Sequence, residues 1–198
     1  TEDIRCHPKV FTGKNEKEKY LPAMLSIGRD KDGNIQCVQA TYLDPKTSNK
    51  AYLDVKKRTY ASPSGTLVSL QKQENRSDPK NKISFIAEGV ETGLSIRDVT
   101  RDIKNSEVVV TLGKSNFTAI DPKSVGSKVV FCLDNDGPVI LTDNIIHKAA
   151  ERLISSGKEV FISVPGKIIS KGDKKNVKID FNDIARTAGV DAVKNTII

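Results

Sequence analysis

Four short, mostly apolar runs, at residues 83–87, 108–112, 129–133 and 160–164, constrain this 198-residue chain more than any other feature. Each is about five residues long, and helical patterns separate them. Ile96, Val99 and Ile103 fall at helix spacing after the first run. Between the third and fourth, Ile145, Ile146, Ala149, Ala150, Leu153 and Ile154 form one stripe, with Gly157 as its stop. Short helices are expected after Asn182. Strands without an exposed polar side alternate here with helices, which is the pattern of a parallel sheet covered on both faces. The expected fold class is α/β.

The front of the chain reads differently. Residues 22–29 are mostly apolar, Asp32-Gly33 follows as a hairpin signal, and 35–43 supplies β-branched and aromatic residues. Further short strands are expected at 51–55 and at 66–70, the latter after the turn Ser62-Pro63-Ser64-Gly65. Residues 71–82 (QKQENRSDPKNK) contain no apolar side chain and read as a linker. Two parts are expected: a small β-rich subdomain over 1–82 and an α/β domain over 83–198.

The net charge of +7 is uneven. Residues 1–82 hold 16 Lys and Arg against 10 Asp and Glu, whereas 83–198 hold 16 against 15. A basic front half suits a polyanionic partner, because Lys and Arg neutralise phosphates and release counterions. Lys56, Lys57 and Arg58 are the nucleic-acid-binding candidates there, and Lys114, just past a strand end, is another. No apolar run is long enough to span a membrane, and the N-terminus lacks the pattern of a signal peptide. Cys6, Cys37 and Cys132 are odd in number and widely spaced, so neither a disulfide framework nor a zinc site is expected, and a reducing, cytoplasmic setting fits. Cys132 reads as a buried small hydrophobe. The chain begins at Thr1 and its one methionine is Met24, so a piece of a longer polypeptide is expected, with other domains as partners.

Ligands of such a sheet gather at the carboxyl ends of its strands. The first run ends in Glu88-Gly89, the second in Gly113-Lys114-Ser115, and the third in Asp134-Asn135-Asp136-Gly137. Carboxylates two apart past a strand end turn toward one point as the chain leaves the sheet. With Glu88 they make an oxygen-rich cluster suited to a hard cation, and Mg²⁺ adds waters and substrate phosphates to one or two carboxylates. Without a cation the three would repel and at least one pKa would rise. Glu88, Asp134 and Asp136 are thus the candidate catalytic and metal-binding residues, with Mg²⁺ or Mn²⁺ as cofactor. Tyr42, Tyr52 and Tyr60 are expected to pack against the sheet, and His147 to lie on the exposed side of its helix.

Ile86-Ala87-Glu88-Gly89-Val90-Glu91-Thr92, Thr111-Leu112-Gly113 and Val130 to Leu133 with Asp134-Asn135-Asp136-Gly137 resemble the motifs of the Toprim family, which is shared by replicative primases, topoisomerases and some nucleases. Asp180-Phe181-Asn182-Asp183 resembles a further acidic motif of the primase-like branch. In the front half, His7-Pro8, Leu21-Pro22-Ala23, Asp32-Gly33, Thr41-Tyr42-Leu43-Asp44, Lys50-Ala51 and Lys56-Lys57-Arg58 before Gly65 are similar to the region that precedes Toprim in plasmid and phage primases. Similar modules occur in conjugative relaxases and transfer proteins. The resemblance implies a Rossmann-like Toprim sheet. It implies Glu88 as general acid/base or metal-associated glutamate, Asp134 and Asp136 as metal ligands, and Asp180 as a further acidic contributor. It also implies nucleic acid, single-stranded DNA in particular, and nucleoside triphosphates as partners. Two features depart from replicative primases. Thr92 stands where they often carry an Asp, while Glu91 points about 100° away on a helix; and their zinc-binding module has no counterpart here.

Primase-like nucleotidyl transfer is therefore the leading expectation. A non-catalytic single-stranded DNA-binding module of a relaxase or helicase and a Toprim nuclease are the alternatives. A haloacid-dehalogenase-type phosphatase also places Asp-x-Asp after a buried strand. Its motif runs on to a Thr where Pro138 stands here, and Glu88 would have no role.

Overall fold

The structure is a computed structural model that describes residues 1–71, 81–135, 143–166 and 179–197. Its first sheet is an antiparallel meander of β1 (Ile4–Phe11), β2 (Tyr20–Arg29), β3 (Ile35–Tyr42) and β4 (Lys57–Tyr60), in that order. The β2–β3 turn is set by Asp30, whose carboxylate accepts the backbone N–H of Asp32 and Asn34, and by Gly33 at φ 86°. Hydrogen bonds from Gln36 and Asn34 hold the Asp30 carboxyl at about 2. A compact core of Leu21, Ala23, Ala40, Tyr42 and Ala51 fills one face.

One feature of this sheet was not anticipated from sequence, and a second departs from what was expected. β1 carries Pro8, and the register shifts between His7 and Val10, so the proline sits at a bulge in an edge strand where its missing N–H costs no ladder bond. The strand expected at 51–55 does not form. Ala51 turns into the core while Tyr52 is 99% exposed, and the ladder is continued by the basic run 57–60 instead. An edge strand tolerates charged side chains, because their stems lie along the sheet and their heads reach water.

The second sheet has the order β5-β7-β6-β8-β9, from β5 (Val68–Gln71), β6 (Ile83–Ala87), β7 (Ser106–Val110), β8 (Lys128–Cys132) and β9 (Glu159–Ser163). β6 to β9 run parallel, and β5 joins β7 antiparallel. The run expected near 66–70 thus pairs into the rear sheet rather than the front one. Linker residues 72–80 lie outside the described residues.

Alternation explains why β6, β7 and β8 are mostly apolar, with Ser84, Ser106 and Glu107 as buried polar exceptions and Ser84 donating to Glu107. Phe85, Ala87, Val108, Val110 and Cys132 face one core with α1 (Val90–Thr100), α3 (Phe181–Ala188) and α4 (Val190–Ile197). Ile86, Val109, Val129, Phe131 and Leu133 face a second core with α2 (Asn144–Ser155) and Phe117. Strands with helices on both faces need no polar side. Burial raises the Cys132 thiol well above its usual range. β9 is the exception, since Phe161 and Ile162 on this edge strand are substantially exposed. Gly93 lets α1 approach closely: a Cβ there would lie 2.6 Å from both Leu70 Cδ1 and Val110 Cγ2.

Asp3 ties the two sheets together. Fully buried, its carboxylate accepts Arg29 Nε at 2.7 Å and the Ser69 backbone N–H at 3.0 Å. Among the described residues no helix is long and apolar enough to cross a membrane.

Candidate metal and nucleic-acid site at the carboxyl edge of the sheet

The winding of the second sheet decides where a ligand sits. From β6 the chain passes through α1 on one face to β7, whereas from β8 it passes through α2 on the other face to β9. The direction reverses between β6 and β8, and crevices of this kind at the carboxyl edge are where doubly wound sheets bind ligands. Ala87 is registered with Cys132 in the parallel β6–β8 pair. Glu88 therefore leaves the sheet level with Leu133, one residue before Asp134, on adjacent strands about 4.8 Å apart.

Asp180 reaches the same edge from far along the chain. Asn135 and Ile179 form an antiparallel bridge, with Asn135 N donating to the Ile179 carbonyl at 2.7 Å. That bridge brings Asp180, the residue after Ile179, to the segment that carries Asp134. Asp180 is the N-cap of α3: it accepts Asp183 N at 2.7 Å while the Asp183 side chain accepts Asp180 N at 3.2 Å. Burial raises its pKa, with the nearby charges of Asp183 and Glu91 adding to the effect. Asp136 lies outside the described residues, and among the described residues no group of three His, Cys, Asp or Glu side chains is close enough to hold a metal. The donors present, Glu88 and Asp134, are hard carboxylates at one rim. That set fits Mg²⁺ or Mn²⁺, which draw the rest of their coordination from water and substrate.

Two residues at the start of α1 had been assigned no role by the sequence, and one of them enters the site. Thr92, buried in the first turn, donates its hydroxyl to Asp134 Oδ1 at 3.4 Å. Its position four residues after Glu88 was the available signal. Glu91 turns away from Asp134, as its helical angle requires, and meets the front half of the chain. Lys50 Nζ lies 2.8 Å from Glu91 Oε1 and Lys57 Nζ 3.0 Å from Oε2. Burial alone would raise the Glu91 carboxyl, but the two lysines hold it at about 2.

The basic candidates are mostly engaged within the protein. Lys57 pairs with Glu91, and Arg58 Nη2 donates to the Thr12 carbonyl at 3.0 Å. Lys114 lies 3.2 Å from Asp143, the N-cap of α2. Burial would raise the Asp143 carboxyl, but Lys114 and the amides of Ile145 and Ile146 bring it below the usual range. Lys56 is exposed in an open cleft of about 670 Å³, shared with Lys17, Glu16, Glu18, Tyr52 and Asp54. Carboxylates outnumber ammonium groups in that lining. Tyr42 is buried as expected, donating to the Phe11 carbonyl at 2.7 Å, and burial pushes its phenol up to about 12. Tyr52 departs from the expected sheet packing, because its segment forms no strand. His147 is exposed, as its helix pattern implied.

Residues 83–191, more than half of the chain, match the family model of the Toprim domain. The chain belongs to the Toprim family. Residues 1–70 match a second family, described as a domain of unknown function (DUF7146). No curated protein sequence matches the chain significantly. In structure the Toprim chain is similar to the zinc-binding and RNA polymerase domains of Aquifex aeolicus primase, with 16% identity and a TM-score of 0.53 over 100% of this chain and 44% of that one. It is also similar to the primase fragment of the bacteriophage T7 primase-helicase protein, with 13% identity and a TM-score of 0.51 over 89% and 63%. A third is the RNA polymerase domain of Mycobacterium tuberculosis primase in complex with double-stranded DNA, with 12% identity and a TM-score of 0.53 over 93% and 56%. At these identities the likeness is one of fold. The Toprim chain spans less than two thirds of each of these structures.

Proposed function

We propose that this Toprim chain is a divalent-metal-dependent, primase-like nucleotidyl-transfer domain that acts on nucleic acid within a larger replication or conjugative-transfer polypeptide. The observation that carries the reading is the exit of Glu88 and Asp134 from adjacent parallel strands, at the crevice where the winding of the sheet reverses. The primase fold of the whole chain supports it, as does the greater length of those primase structures, which leaves room for further domains.

In this reading Glu88 and Asp134, with Asp136 as the third carboxylate, hold Mg²⁺ or Mn²⁺. When bound, the cation neutralises charge that develops on the phosphoryl oxygens. Thr92 fixes the orientation of Asp134. Glu88 accepts the proton of a primer or nucleotide 3′-hydroxyl as that oxygen forms its bond to the α-phosphorus of a nucleoside triphosphate. The bond from that phosphorus to pyrophosphate breaks in line. Single-stranded DNA is the proposed template.

Mn²⁺ titration followed by the electron paramagnetic resonance of the free ion tests the site. The chain should bind Mn²⁺, and Asp134→Asn and Glu88→Gln should each lose binding. The intact parent, given template, nucleotides and metal, should make oligonucleotides, and its Asp134→Asn form should make none. A parent that makes no oligonucleotide, or carboxylate variants that bind Mn²⁺ like the parent, would overturn the proposal.

A further inference from the structure

Glu91 has no part in the proposed chemistry, yet two lysines from the front half of the chain converge on it. Lys50 approaches one carboxylate oxygen and Lys57 the other, at 2.8 and 3.0 Å. Lys57 opens β4, Lys50 sits in the irregular segment before it, and Glu91 lies in the first turn of α1, three residues past Glu88. The three side chains are only partly exposed, at 46, 33 and 25% for Lys50, Lys57 and Glu91. Two ammonium groups, one on each oxygen of a single oxyanion, make a forked anion seat. A carboxylate fills it with one negative charge against two positive ones. A phosphate edge presents two oxygens at a similar spacing and carries more charge, so it satisfies the same pair better.

We propose that Lys50 and Lys57 form a polyphosphate seat that Glu91 occupies when no ligand is present, and that an incoming triphosphate displaces the carboxylate. The inference rests on the nucleotidyl-transfer reading only for the source of the ligand, a nucleoside triphosphate; the seat itself needs neither metal nor the Glu88–Asp134 edge. Glu91 then acts as an internal competitor. It holds the two lysines in register across the join between the sheets and makes weakly charged anions poor ligands.

Inorganic tripolyphosphate is the probe, titrated calorimetrically at low salt with a chelator present. Glu91→Gln should bind it about five- to thirtyfold more tightly than the parent, the factor expected when one partly buried ion pair no longer competes. Adding Lys50→Ala or Lys57→Ala to Glu91→Gln should abolish that gain. A second measurement uses the unaltered protein: carbodiimide coupling of glycinamide to Glu91, read by mass spectrometry, should be slow alone and faster at saturating tripolyphosphate. Unchanged or weaker binding by a folded Glu91→Gln variant overturns the proposal, as does a Glu91 coupling rate indifferent to tripolyphosphate. Because every arm is free of divalent metal, its failure leaves the Mn²⁺ test of the catalytic site untouched, and the reverse also holds.

Discussion

Replacing Glu91 by glutamine keeps shape and removes charge, so it isolates the ion pairs that join the front of the chain to α1. The Glu91 carboxyl is held at about 2 instead of its ordinary 4.5. Each pKa step is worth 1.36 kcal/mol, so the native state favours the ionised form by roughly 3 kcal/mol. The side chain is 25% exposed, and solvent screening trims this to about 2 kcal/mol. The folded pKa is depressed, so the contribution is fully present above the unfolded value of 4.5 and is lost as pH falls toward 2. Urea unfolding followed by far-ultraviolet circular dichroism at pH 7, 5, 4 and 3 should show the variant less stable by about 2 kcal/mol at pH 7. The difference should be roughly halved near pH 3. A difference as large at pH 3 as at pH 7, or none at pH 7, would show that the lysine–carboxylate contacts do not couple to folding.

Two further outcomes follow from α1. Thr92→Val removes the hydroxyl that orients Asp134, and Mn²⁺ affinity should fall about tenfold, with Thr92→Ser restoring it; equal affinity in all three forms would leave Thr92 a packing residue only. Gly93→Ala should lower stability by about 1–2 kcal/mol in chemical denaturation, because the added methyl meets Leu70 and Val110 at 2.6 Å and overpacking outweighs the better helix propensity of alanine. A stabilised variant would mean that the helix lifts from the sheet at little cost.

Much of the rear sheet could be read directly from sequence. The runs at 83–87 and 129–133 coincide with β6 and β8 to within a residue, because a strand buried on both faces leaves no polar register to confuse the pattern. The stripe from Ile145 to Leu153 marked α2 for the opposite reason, since one face packs on the sheet while the other meets water, although Ile154 proves exposed. The front half was less legible. Its strands are half-buried or at an edge, where burial is weaker and a basic run such as 57–60 pairs as readily as an apolar one. β5 illustrates the limit: its residues spell a strand, but nothing local says that its partner is β7.

The same division runs through the candidate site. Local chemistry marked Glu88 and Asp134, since a carboxylate that closes an apolar strand is a signal carried by neighbours in the chain. Their arrival on adjacent strands depends on the strand order, which puts β8 beside β6 rather than beside β7. The Thr92–Asp134 hydrogen bond, the Asn135–Ile179 bridge that brings in Asp180, and the grip of Lys50 and Lys57 on Glu91 each join residues at least 34 positions apart. Periodicity records which face of an element is buried. Which charges meet across elements is set by helix rotation, crossover direction and strand register, and those are fixed only when the whole chain packs.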